Sequence, residues 1–220
     1  MQNSQSGPEL STPLYVIAHV SRVVTRVVDR IAGDRVDFPL LVAAACVEAL
    51  KQFEIDSRIM YGQVAWIEVL EDHSLVWAGC WGENFHFWVA TQFGEVVDLN
   101  TSVAYRKRSH TNPQLKAISS PPLLWSQEVP KFYRYIPEGV AELELLEESD
   151  RKRFQRVIDE IQEKCSLSVQ TELRKLKDEE LDFPNEPLLC SGRRLLDDSH
   201  STFKHFDRAL AVQGIPKSPI

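Results

Sequence analysis

The sequence predicts an α+β fold in which helices come first and an antiparallel sheet follows. Apolar residues recur at three and four residue steps from Tyr15 to Phe53, the period of a helix face. Between Arg58 and Leu99 the period changes to two, with β-branched and aromatic residues prominent. Turn signals at Gly62, Glu71-Asp72, Gly79 to Asn84 and Gly94 divide that stretch into short strands, and short strands joined by tight turns make an antiparallel sheet. With 43% hydrophobic and 26% charged residues in 220, the chain has ordinary globular composition and room for one domain, with or without an appendage.

The N-terminus through Thr12 is polar and followed by Pro13, so a loose leader is expected. Ile17, Val20, Val24, Val27, Val28 and Ile31 then line one face of a helix over Tyr15 to Ile31, with Arg22, Arg26, Asp29 and Arg30 toward water and Gly33-Asp34 as the stop. Asp37 is the candidate cap of a second helix, with Phe38-Pro39 at its start and Phe53 at its end. Leu40, Ala43, Val47 and Leu50 form one apolar stripe and Val42, Cys46, Ala49 and Phe53 the next, the mark of a mostly buried central helix. Strands are expected at Arg58 to Tyr61, Val64 to Leu70, Ser74 to Ala78, Phe85 to Thr91 and Glu95 to Leu99. Five prolines between Ser109 and Pro137 predict a long wrapped connection. Ala141 to Leu181 is helical in pattern, and Asp197 to Gln213 forms a last helix. From Ala141 to Pro187 there are 14 acidic residues against 8 basic, which reads as a solvated helical face or as an acidic docking surface for a protein partner. The expected organisation is a core over 1–137, including the N-terminal helix, and a helical accessory region over 138–220 packed on it.

Several functions are disfavoured at this level. A net charge of -7 without a basic stripe argues against nucleic acid. No apolar run approaches a membrane span and the N-terminus lacks the pattern of a signal peptide, so a soluble, cytoplasmic protein without a membrane partner is expected. Cys46, Cys80, Cys165 and Cys190 are far apart, with no CxxC and no histidine at ligand spacing. Free thiols, no metal and no cofactor are therefore expected, and chemistry falls to side chains alone.

Cys46 in the central helix, His86 forty residues on and Asp98 twelve further are the residue types of a thiol triad: a nucleophile, a base that takes its proton, and a group that fixes the base. A hairpin turning at Gln92-Phe93-Gly94 with Thr91 opposite Glu95 sets Asp98 opposite Trp88 and His86 on its diagonal. Such neighbours lie roughly 7 to 8 Å apart at the backbone. A two-residue turn at Phe93-Gly94 places them on opposite faces instead.

The blocks Ala45-Cys46-Val47-Glu48-Ala49-Leu50, Phe53-Glu54-Ile55-Asp56-Ser57-Arg58, His86-Phe87-Trp88-Val89 and Val96-Val97-Asp98-Leu99-Asn100-Thr101 resemble the core of the transglutaminase-like superfamily. That superfamily is related to papain-like peptidases, to the thiol peptidases that mature lasso peptides and, more distantly, to arylamine N-acetyltransferases. The resemblance covers about a quarter of the chain. It implies a papain-like α+β core with Cys46 as nucleophile, His86 as base and Asp98 as orienting residue. It also implies a cysteine at the first turn of its helix, whereas Pro39 starts this helix two turns before Cys46. Glu54 stands where glycine is common and Ser57 where alanine is common.

Cys80, in Ala78-Gly79-Cys80-Trp81-Gly82, is the rival thiol. The backbone N–H of Cys46 with Gln63 or Asn84 are candidate oxyanion donors. The leading expectation is a cysteine peptidase-like hydrolase or acyltransferase acting on an amide bond of a peptide, protein or small amide. The competing one is an inactive scaffold that binds a protein in a cleft lined by Trp66, Trp77, Trp81 and Trp88. An acetyl-CoA-dependent transferase is a weaker third, with Arg106-Lys107-Arg108 its sole basic cluster.

Overall fold

A computed structural model of the chain describes residues 11–106, 115–121, 123–141, 148–173 and 200–220. It is a mixed α+β structure with a curled antiparallel sheet. Helix α1 spans Leu14–Ile31 and buries Val16, Ile17, Val20, Val24, Val27 and Val28. So many valines are poor helix formers on their own, and burial of that face is what holds the helix. Helix α2, Pro39–Gln52, starts with proline in its first turn, where a missing N–H costs nothing, and buries Leu41 to Cys46 with Ala49 and Leu50. Between them a short 3-10 turn carries Arg35, whose buried guanidinium bonds Asp29, the Leu99 carbonyl and the Ser102 hydroxyl.

The sheet is organised around β1, Ser57–Leu70, one 14-residue strand where the sequence predicts two. Gly62 is not a turn but lies within β1, opposite a bulge in β7. Its φ is 156°, and a Cβ there would lie 2.2 Å from the Ile136 carbonyl oxygen. The register against β7, Tyr133–Val140, shifts between Tyr61 and Gly62. Strands β2, Leu75–Cys80, and β3, His86–Thr91, both run antiparallel to β1. Val64 to Trp66 pair with both β2 and β7, and Met60 to Gly62 with both β3 and β7. Strands β2 and β3 therefore lie one after the other along a single edge of β1, interrupted by residues 81–85.

β4, Val96–Asp98, pairs with β3 on one side and with β6, Leu124–Ser126, on the other; β5, Ala117–Ser119, pairs with the end of β1. Three strands thus begin in the region expected to be a wrapped connection. The described prolines are compatible with them: Pro121 and Pro130 fall between strands, and Pro137 sits at the bulge opposite Gly62.

Ile59, Val89, Val97, Leu99 and Trp125 face α1, α2 and helix α3, Glu148–Lys164, which adds Val157 and Ile161. Further along the sheet, helix α5, His200–Gln213, sets Phe206 and Ala209 against Ala65, Ile67, Val69 and Trp77. The short α4, Leu167–Leu173, follows α3. The opposite, concave face holds Val64, Trp66, Ala78, Leu124 and Tyr133. The domain boundary expected at residue 137 falls inside β7, so the chain beyond it supplies part of a strand as well as packed helices. On α3, Glu160 pairs with Arg30 and Gln162 donates to Glu48, so some of this helix's polar residues face the core helices. Among the described residues no helix is long and apolar enough to cross a membrane.

Candidate functional site

The β3–β4 hairpin is built around a carboxylate. Glu95, 1% exposed, accepts hydrogen bonds from the Thr12 N–H (3.0 Å), the Thr12 and Thr91 hydroxyls (2.6 and 2.8 Å) and Trp125 Nε1 (3.2 Å). Thr91 N–H donates to the Glu95 carbonyl and Gly94 N–H to that of Thr91, with Gly94 at φ 76°. This is the three-residue turn at Gln92 to Gly94 that the sequence suggests. Val89 consequently faces Val97, and Asp98 comes opposite Trp88.

His86 and Asp98 share the concave face, and His86 Nε2 lies 2.7 Å from Asp98 Oδ2. Asp98 also accepts from the Tyr135 hydroxyl (2.8 Å) and from the Asn100 N–H (2.9 Å). Both members are buried, at 5% and 2% exposure. Burial alone would lower the pKa of His86, but the charge and hydrogen bond of Asp98, aided by the Cys80 thiol, raise it to about 9. For Asp98 the imidazolium and the donors around it outweigh burial, so its pKa is lowered. Burial, with Asp98 next, pushes the Tyr135 hydroxyl well above its ordinary value, so it stays a protonated donor.

Cys46 packs on the other face of the sheet from His86. It is 1% exposed among Val42, Ala45 and Ala49 in the layer between α1, α2, α3 and the sheet. That layer meets Phe87 and Val89, the outward neighbours of His86. Alternation along β3 turns His86 to the other side, so the sheet separates the Cys46 thiol from the imidazole. Burial, then the neighbouring Cys165 and the charge of Asp98, pushes the Cys46 thiol far up, and the Cys165 thiol is itself raised to about 12 by burial. Cys190 lies outside the described residues.

The thiol that approaches His86 is Cys80. It pairs with Val64 as His86 pairs with Gly62, two positions apart along the same edge of β1 and on the same face. Gly79 permits this. At φ 148° a Cβ would sit 2.1 Å from the Val64 carbonyl oxygen, so only glycine lets β2 run this close just before Cys80. Asp98 holds Nε2, which leaves Nδ1 as the ring nitrogen open to a thiol. Cys80 is half-buried in a narrow cleft of about 40 Å³ with Trp66, Pro39, Asn100 and Thr101. The Trp66 ring leans on His86 at 5.8 Å, and its Nε1 donates to Glu68 at 2.9 Å. Glu68 is 1% exposed, and burial raises its carboxyl to about 7.

Of the other expected contributors, Gln63 is turned to Glu138 (3.1 Å) and Asn84 is in the exposed loop. The N–H of Cys46 lies inside the helix, where the backbone is already paired. Among the described residues no cluster of His, Cys, Asp or Glu could hold a metal ion. Sequence reasoning missed Tyr135 altogether.

No family model matches the chain, and no curated protein does. A crystal structure named only as a genomics target is similar at a TM-score of 0.37 and 16% identity, over 76% of this chain and 82% of that one. A likeness this low carries no argument about fold family or function.

Proposed function

We propose that the chain is a thiol-dependent acyl-transfer enzyme, a hydrolase or transferase acting on an amide or ester carbonyl, with Cys80 as nucleophile, His86 as proton carrier and Asp98 as its orienting partner. The observation that supports it most is that Cys80 and His86 line one cleft from the same face of the sheet, with the imidazole held by Asp98 at Nε2. Loss of one proton from the thiol–imidazolium pair leaves a thiolate beside an imidazolium. The sulfur attacks the carbonyl carbon, forming the C–S bond, and the C=O electrons move to oxygen. As they return, the bond to the leaving group breaks and His86 Nδ1 gives that group its proton. Water or an amine then attacks the thioester, His86 takes its proton, and the C–S bond breaks to restore the thiolate. On this reading α2, β3 and β4 are a variant of the transglutaminase-like core in which the thiol has moved from the helix to the strand. Unpaired thiols at Cys46, Cys80 and Cys165 suit a reducing, cytoplasmic setting.

One observation favours a non-catalytic scaffold. The helix turn that meets His86 across the cleft carries Pro39, so a cysteine in the first turn, as the resemblance implies, is absent. Limiting iodoacetamide at pH 6.5 separates the two. The enzyme reading expects carbamidomethyl label at Cys80 at least tenfold ahead of Cys46 and Cys165, with the lead lost in His86→Ala. Equal, slow labelling at all sites favours the scaffold.

A further inference from the structure

We infer that the substrate of the Cys80 site carries a bulky apolar group, aromatic or branched aliphatic, next to the reacting carbonyl, and that this group enters the cavity at the start of α2; the inference rests on the thiol reading above. The cleft at Cys80 has only about 40 Å³, room for little more than a carbonyl and its first substituent atoms. A second cavity of about 390 Å³ lies beside it, walled by Phe38, Pro39, Leu40, Leu41, Phe87 and Phe154. Pro39 belongs to both walls. The two spaces lie on opposite sides of the start of β3. His86 turns into the cleft, and its neighbour Phe87 turns into the cavity. On this proposal a molecule reacting at Cys80 passes Pro39, the residue both walls share, and buries an apolar group among three phenylalanines. The cavity also has a charged rim, with Arg153 5.1 Å above the Phe38 ring and Asp37 beside it. One group of each sign at the mouth suits a neutral amide rather than a substrate with net charge of its own.

The probes are iodoacetamide and N-(2-phenylethyl)iodoacetamide, used on the full chain, with the alkylation rate at Cys80 read by peptide mapping and each rate divided by that of free cysteine. Burial of a phenyl group is worth about a tenfold gain, so the phenylethyl reagent should be favoured at Cys80 by about that factor and not at Cys165. Leu40→Trp, which fills the cavity, should bring the ratio toward one, and Phe154→Ala, on a different helix, should change it without changing the iodoacetamide rate. The ratio in the unmodified protein needs no variant to fold. A ratio of one with Cys80 still the fastest thiol overturns the cavity assignment and leaves the thiol reading standing. A Cys80 that is slow toward both reagents overturns both.

Discussion

Replacing Asp98 by asparagine tests the electrostatics of the site through stability, without needing a substrate. The asparagine keeps the shape and one acceptor but removes the charge facing His86. In the folded protein His86 titrates at about 9 against 6.5 for a free imidazole, and that difference corresponds to about 3 kcal/mol of favourable interaction with the protonated ring. Because the folded value is raised, this stabilisation is fully present below pH 6.5, declines as pH rises from there, and is gone above about 9. Asp98→Asn should therefore unfold in urea with a deficit of about 4 kcal/mol at pH 6, shrinking to about 1 kcal/mol at pH 10, where only neutral hydrogen bonds distinguish the two chains. The His86 ring, left buried without a counter-charge, should titrate below 6.5 by NMR. A deficit that stays constant from pH 6 to 10 would refute the ion-pair account, since a loss of packing alone carries no such pH dependence.

Glu68 should behave in the opposite sense. Its carboxyl is raised from 4.5 to about 7, so it costs stability progressively between those values, and Glu68→Gln should be the more stable chain by roughly 2 kcal/mol or more in urea at pH 8 while matching the parent near pH 4. Glu95→Ala strands four donors in the interior and should cost about 3 kcal/mol or more in the same assay. A chain ending at Pro137 loses the last residues of β7 and the helices that cover the sheet, burying Val157, Ile161 and Phe206, so it should lack cooperative thermal unfolding by circular dichroism. A sharp transition in that fragment would make the helices accessory, as the sequence suggests.

The residues around His86 and Asp98 were legible because a local feature decides them. Thr91, Gly94 and Glu95 specify a three-residue turn, and a turn of known length fixes which side chains share a face. Helices α1 and α2 were legible from period alone, down to the proline that places Cys46 mid-helix. The position of Cys80 was written less openly. The turn after Leu70 sets Val69 opposite Leu75 and therefore Val64 opposite Cys80, but the excursion at 81–85 hides that β3 resumes the same edge two positions on. Tyr135 was lost because prolines were counted as breaks, whereas Pro137 occupies a bulge that β7 tolerates. The curl that brings Tyr135 across the concave face to Asp98 depends on pairings far apart in sequence, β7 with β1 and β4 with β6, for which no local pattern gives a sign.

The central claim is that Cys80, and not Cys46, carries a covalent acyl group. Brief incubation of the full chain with 4-nitrophenyl acetate near neutral pH, followed by acid quench and peptide mapping, reads it directly. The account predicts a burst of 4-nitrophenolate, one acetyl group as a thioester on Cys80 that hydroxylamine removes, and no burst in Cys80→Ser or His86→Ala, while Cys46→Ser leaves the burst intact. An acetyl group on Cys46, or no thioester at any cysteine with the phenolate released linearly at the rate of buffer, would contradict it.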